Sequence, residues 1–93
     1  MSASVETSVV VRNKNGLHAR PSSVLAETAL RFGETAIAIR KGEFEVDAKS
    51  IMELLLLEAA CGTELVIAAA GPEADEAIRE LTGLFEREFD LTL

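Results

Sequence analysis

The stretch Thr35–Ala48, TAIAIRKGEFEVDA, alternates apolar and polar residues in two short runs around a lysine and a glycine. Period-two alternation marks strands with one buried face, so TAIAIR and EFEVDA read as two strands. Ile37, Ile39, Phe44 and Val46 are expected to face the core. Lys41-Gly42 suits a tight hairpin turn between them.

Beyond the hairpin the period changes. SIMELLLL reads as a helix, with Ser50 and Glu53 spaced as a capping box. CGTELVIAAAGP then reads as a loop, a buried strand over 64–69 and a stop. Pro72 is expected to open a last helix, with Glu73, Asp75 and Glu76 in its first turns. Its apolar stripe is Ala74, Ala77, Ile78, Leu81, Phe85 and Phe89, and Gly83 inside it costs about 1 kcal/mol relative to Ala. On the other side of the hairpin, Val24, Leu25, Thr28, Ala29 and Phe32 share one face of a helix over 19–32, and Gly33 reads as its left-handed stop. SVETSVVVR supplies a first strand over 5–12, followed by the loop NKNG. The order is βαββαβα. It predicts an α+β open-faced sandwich, a four-stranded sheet covered on one face by three helices. The strand order stays open.

The 93 residues suit one domain spanning 1–93. Only four residues are aromatic, all Phe, so the core must be aliphatic. Cys61 is the sole cysteine, which excludes an internal disulfide and fits a reducing cytoplasm. No apolar run is long enough to span a membrane. A net charge of −7 argues against nucleic acid as a partner. The charge is uneven: from Thr63 onward eight acids face Arg79 and Arg87, a balance of −6 that leaves −1 for the remainder. The segment containing Arg12, Lys14 and Arg20 escapes the acidity.

That segment holds the only histidine, in NGLHARPSS over Asn15–Ser23. With a helix starting at Ala19, His18 is the N-cap and Pro21 lies in the first turn, where a missing N–H costs nothing. The amides of Ala19, Arg20 and Ser22 are then free. Such an end favours an anion by roughly 0.3–1 kcal/mol, up to about 2 when partly buried. A dianion on the imidazole would meet these amides and the Arg20 guanidinium. Chemistry alone also allows a plain cap or surface histidine at this place. A hydrolase fits poorly, because no second imidazole and no metal-ligand cluster accompany His18.

GLHARPSS at Gly16–Ser23 followed by KSIM at Lys49–Met52 resembles the HPr family, the histidine phosphocarriers of the bacterial phosphoenolpyruvate-dependent sugar phosphotransferase system. The likeness runs from the first strand to the last helix. It implies an antiparallel sheet and a carrier without catalysis or cofactor of its own. His18 would take a phosphoryl group on Nδ1 from enzyme I and pass it to a IIA protein or domain. Arg20 would hold the phosphoryl oxygens, and Pro21 would shape the helix start. Leu17, Ile51, Met52 and Leu55 would dock partners, although a wholly buried leucine run is equally compatible with the pattern. A cytoplasmic monomer is expected.

Ser50 reads first as a cap. The resemblance adds phosphorylation by an HPr kinase/phosphorylase, a regulatory role. Here Glu53 stands where many Gram-positive members have glycine, and its carboxylate would repel a phosphoserine. GPEADEAIRELTGLF and the acidic C-terminal region look like the nitrogen-related branch, whose carrier regulates rather than feeds sugar uptake. Cys61 reads as a bystander thiol.

Overall fold

Three layers of paired residues make one face of the sheet apolar. Val5, Ala69 and Ile37 form one row, each opposite the next; Thr7, Ile67, Ile39 and Val46 form a second; Val9 and Leu65 form a third. The strands carrying them are β1 (Ser4–Val10), β2 (Ala36–Lys41), β3 (Phe44–Asp47) and β4 (Glu64–Ala70). All pairs are antiparallel, in the order β1-β4-β2-β3. Three helices cover that face: α1 (Ala19–Leu30), α2 (Ile51–Leu56) and α3 (Ala74–Glu86). The computed structural model describes residues 4–91, so residues 1–3 and 92–93 of the expected domain lie outside it. The fold is the predicted βαββαβα sandwich. The core is aliphatic, apart from Phe32, Phe85 and Phe89.

The open face is polar at its rim and small at its centre. Arg40 reaches across β4 to Glu6 with two bonds of 3.1 Å. The crossing is diagonal, since on the middle strand Glu6 lies opposite Ala68 and Arg40 opposite Val66. This fork holds the Glu6 carboxyl below its ordinary range, chiefly through the hydrogen bonds and then through charge.

Four local expectations need correction. The hairpin turn is Gly42-Glu43, one residue later than predicted, because Lys41 still pairs with Phe44. Gly42 has φ +62°, as the first central position of a II′-type turn requires. Phe44 shares the side of Val46 but sits at the hairpin tip, where the helices do not cover it, and is 48% exposed. Gly33 is not a left-handed stop. α1 ends at Leu30 with Arg31 as a right-handed C-cap, and the carbonyl of Phe32 accepts both Thr35 N–H at 3.1 Å and the Lys49 ammonium at 2.8 Å. Pro72 does not open α3 but lies two residues before its first helical residue, Ala74. The N-cap is Glu73, whose N–H donates to the buried Thr35 hydroxyl from 38 positions away.

α3 runs through Gly83 without a break. A Cβ there would lie 2.8 Å from the Arg87 guanidinium, which folds back over the glycine and meets Asp90 at 3.3 Å. Phe89 lies beyond the helix end. Glu88, Phe89 and Asp90 form one turn with φ of 54°, 58° and 57°. Left-handed backbone costs a non-glycine residue roughly 1–2 kcal/mol. Burial of Phe89, edge-on against Phe85 at 4.9 Å, helps offset it.

Candidate functional site

The link from β1 to α1 is bracketed by hydrogen bonds at nearly every residue. Val11 donates to the Thr63 carbonyl and accepts from the Gly62 amide. The Asn13 carbonyl accepts from Gly16 N–H at 2.9 Å, closing a tight turn. Gly16 has φ +76°, and a Cβ would lie only 2.5 Å from the Ala59 carbonyl oxygen. Glycine is therefore required twice over, by dihedral and by space. Leu17 N–H donates to that same oxygen at 2.8 Å. The buried Ser22 hydroxyl then reaches back to the Leu17 carbonyl. His18 follows a backbone with little freedom.

His18 is the N-cap of α1, with extended backbone (φ −85°, ψ −163°) and an exposed side chain that makes no capping hydrogen bond. Its own carbonyl accepts from Ser22 N–H at 3.0 Å. The Ser22 amide is thus consumed by the helix, contrary to expectation, and only the amides of Ala19 and Arg20 remain free to meet an anion. Pro21 occupies the third helical position, where capping side chains find a donor. Having no N–H, it removes half the targets of a cap. Pro21 is itself buried, so it fixes the turn from inside while His18 and Arg20 face out.

Arg20 stands where a cation is electrostatically disfavoured. The first turn of α1 holds no acid. The ion pairs among the described residues join Arg31 to Glu80, Arg40 to Glu6 and Arg87 to Asp90, so Arg20 is uncommitted. An unpaired guanidinium beside free amides suits an anion that arrives from outside.

α2 packs against α1, and its outgoing loop is the one that holds Gly16 and Leu17. Of the two arrangements the pattern allows, Ile51, Met52 and Leu55 take the exposed one, Met52 by 76%. Leu56, which the sequence reading left out, is 63% exposed. A six-residue helix against a core buries positions three apart. Leu54 and Leu57 take them, which turns Leu55 and Leu56 outward. Leu17 requires correction: it is 4% exposed and belongs to the core, so it supports the loop from below and offers no docking surface.

Ser50 is the N-cap of α2, and its hydroxyl accepts from Glu53 N–H at 3.2 Å. The carboxylate of Glu53 returns to Asp47 N–H at 2.9 Å, three residues earlier than a capping box would have it. Cys61 is exposed, with its thiol 3.7 Å from the Arg12 carbonyl. No cluster of three or more His, Cys, Asp or Glu able to hold a metal occurs among the described residues. No helix among them is long and apolar enough to cross a membrane. A depression of about 620 Å³ lies on the open face of the sheet around Ala36, Ala38, Ala68 and Ala70, and none of His18, Arg20 or Pro21 lines it.

A small α+β protein that presents one imidazole at an open helix start, beside an uncommitted arginine, has the form of a phosphoryl carrier. Comparison with known proteins agrees. Residues 5–87 match the family of the PTS HPr component phosphorylation site. The chain is 35% identical to the phosphocarrier protein HPr of Treponema pallidum, covering 92% of this chain and 97% of the relative. It is 36% identical to the phosphocarrier protein NPr of Escherichia coli K12, covering 92% and 96%. The crystal structure of HPr-C-His from Thermoanaerobacter tengcongensis superposes with a TM-score of 0.90 at 36% identity, covering 96% of this chain and 99% of that one. The chain belongs to the HPr family: it is a phosphocarrier of the phosphotransferase system, a carrier and not itself a catalyst.

Proposed function

We propose that His18 carries the phosphoryl group, that Arg20 holds its oxygens, and that Pro21 keeps the helix start open. The observation that carries this reading is the sole histidine standing exposed at an uncapped helix start. In the forward step the Nδ1 lone pair of His18 attacks phosphorus on the phosphohistidine of enzyme I. The donor's N–P bond breaks, and its electrons return to the donor ring. The new dianion lies against the amides of Ala19 and Arg20 and the positive end of α1. The same contacts hold it until the imidazole of a IIA protein or domain repeats the attack from the other side.

On this reading residues 1–93 act as one cytoplasmic domain, monomeric, without cofactor, nucleic acid or membrane. Ile51, Met52, Leu55 and Leu56 form the apolar dock beside the site. Ser50 serves as a cap. Its phosphorylation by an HPr kinase/phosphorylase is opposed by Glu53, whose backbone and carboxylate are already committed on either side of it.

The test is intact mass spectrometry with phosphoenolpyruvate and enzyme I. One acid-labile phosphoryl group is expected on the wild type and none on His18→Ala; labelling of the alanine variant overturns the assignment. Chasing the label with a sugar-permease IIA should discharge it. Discharge only to a nitrogen-related IIA would make the protein a regulatory carrier.

A further inference from the structure

We infer that Asn13 is a positioning residue for phosphoryl transfer, holding the His18 loop to the left-handed turn at the C-terminal end of the fold. This rests on His18 as the phosphorylated residue. Asn13 is 7% exposed, and its Nδ2 donates to the Glu88 carbonyl at 2.9 Å, across 75 positions of sequence. Its backbone carbonyl closes the turn to Gly16, from which Leu17 and His18 follow directly. The other ties on this loop run to the α2–β4 connection or within the loop itself. Among the described residues, the Asn13 side chain supplies the hydrogen bond that ties it to the terminal segment.

Two features separate this amide from ordinary packing. Its Oδ1 is buried and meets no donor among the described residues, a cost that an apolar residue of similar shape would not carry. And the carbonyl it binds is presented by three successive non-glycine residues with positive φ. A regular helical continuation after Glu86 would aim that carbonyl elsewhere. The unusual turn, anchored by Phe89 against Phe85, is what delivers an acceptor to Asn13. Transfer of a phosphoryl group between two imidazoles demands close alignment, so a loop free to shift by even a fraction of an ångström loses rate without losing its docking surface.

The test measures the protein as a substrate of enzyme I, with melting temperature alongside. Asn13→Ala should lower kcat about fivefold, with KM within about twofold of wild type. Phe89→Leu, which loosens the anchor, should lower kcat in the same way, and the double variant should be no slower than the worse single one. Glu88→Gly keeps the carbonyl and suits the positive φ, so its kcat should match wild type and its melting temperature should rise. A lower melting temperature with unchanged kcat, measured where the variants are fully folded, would reduce Asn13 to a structural tie and overturn the inference. So would a change confined to KM. If Asn13→Ala does not fold, Phe89→Leu decides alone by the same criteria. Failure of wild type to label at His18 is visible in the same assay and overturns the underlying reading as well.

Discussion

The starts of α1 and α2 are built from opposite choices. At α2 a serine caps, an acid stands in the first turn, and both of its groups find partners: Glu53 N–H on Ser50 and the Glu53 carboxylate on Asp47 N–H. At α1 the N-cap side chain bonds nothing, the third residue is a proline with no N–H to give, and the first turn carries an unpaired cation instead of an acid. The first arrangement stabilises a helix. The second forgoes a cap, usually worth about 1 kcal/mol, and accepts an unfavourable charge. Stability explains α2. On the proposed function, an incoming anion explains α1.

The comparison breaks most sharply at His18. His18→Ala should abolish labelling by enzyme I, as above. Arg20 should give the next largest effect. Arg20→Ala should slow transfer in both directions by roughly one to two orders of magnitude, from loss of a charge-assisted contact to the transferring phosphoryl group. The same substitution should leave the melting temperature unchanged or slightly higher, because it removes a cation from the positive end of a helix. Arg20→Lys should recover part of the rate, since an ammonium lacks the planar fork. Timed labelling checks both variants. Wild-type kinetics for Arg20→Ala would show that the guanidinium is merely solvated.

How far these features could be read in advance depended on their range. The hairpin, the Ser50–Glu53 spacing and the His18 helix start are encoded within a few residues, and each formed nearly where the pattern put it. Misreadings came where distant chain decides. Phe44 has the parity of a core residue, but burial there depends on how far the helix layer extends. Leu17 looks like a neighbour of His18 available to partners; the Ala59 carbonyl that pins its amide turns it inward instead. One exception is local: the Ser22 amide is free only if its helical acceptor four residues back, the His18 carbonyl, is left out of account. Thr35 capping Glu73 and Asn13 holding Glu88 span 38 and 75 positions, beyond any local pattern. The strand order β1-β4-β2-β3 has the same origin, since it follows from where the helices cross.

A smaller effect is expected when charge is added to the satisfied helix start. An aspartate is a good N-cap, so Ser50→Asp should keep α2 and its melting temperature. What changes is the surface beside Ile51 and Met52. A carboxylate there must be desolvated when a partner docks on the apolar residues, or must face a like charge, and either weakens association. Glu53 already contributes one negative charge nearby, so a reduction in enzyme I affinity of only several-fold is expected. Titration of Ser50→Asp against Ser50→Ala measures it. Equal affinities would show that the helix start of α2 is purely structural.

The smallest effect tests the premise of the whole contrast. If the Ser50 side chain caps and the His18 side chain does not, removing each should have unequal consequences for stability. Ser50→Ala deletes the acceptor of Glu53 N–H and should cost about 1 kcal/mol, or about 4–8 °C of melting temperature for a domain of this size. It should leave labelling of His18 at the wild-type rate, because no docking contact is altered. His18→Ala deletes a side chain that accepts no hydrogen bond from the helix and lies in solvent, so surface substitution sets its scale, within about 0.5 kcal/mol. His18→Ser should gain little: with Pro21 at the third position, a serine hydroxyl there has only the Arg20 amide to accept from. Calorimetry of the three variants under one buffer condition gives the comparison directly. A destabilisation by His18→Ala equal to that of Ser50→Ala would mean that the imidazole is itself a cap, and that the two helix starts differ less than their hydrogen bonds indicate.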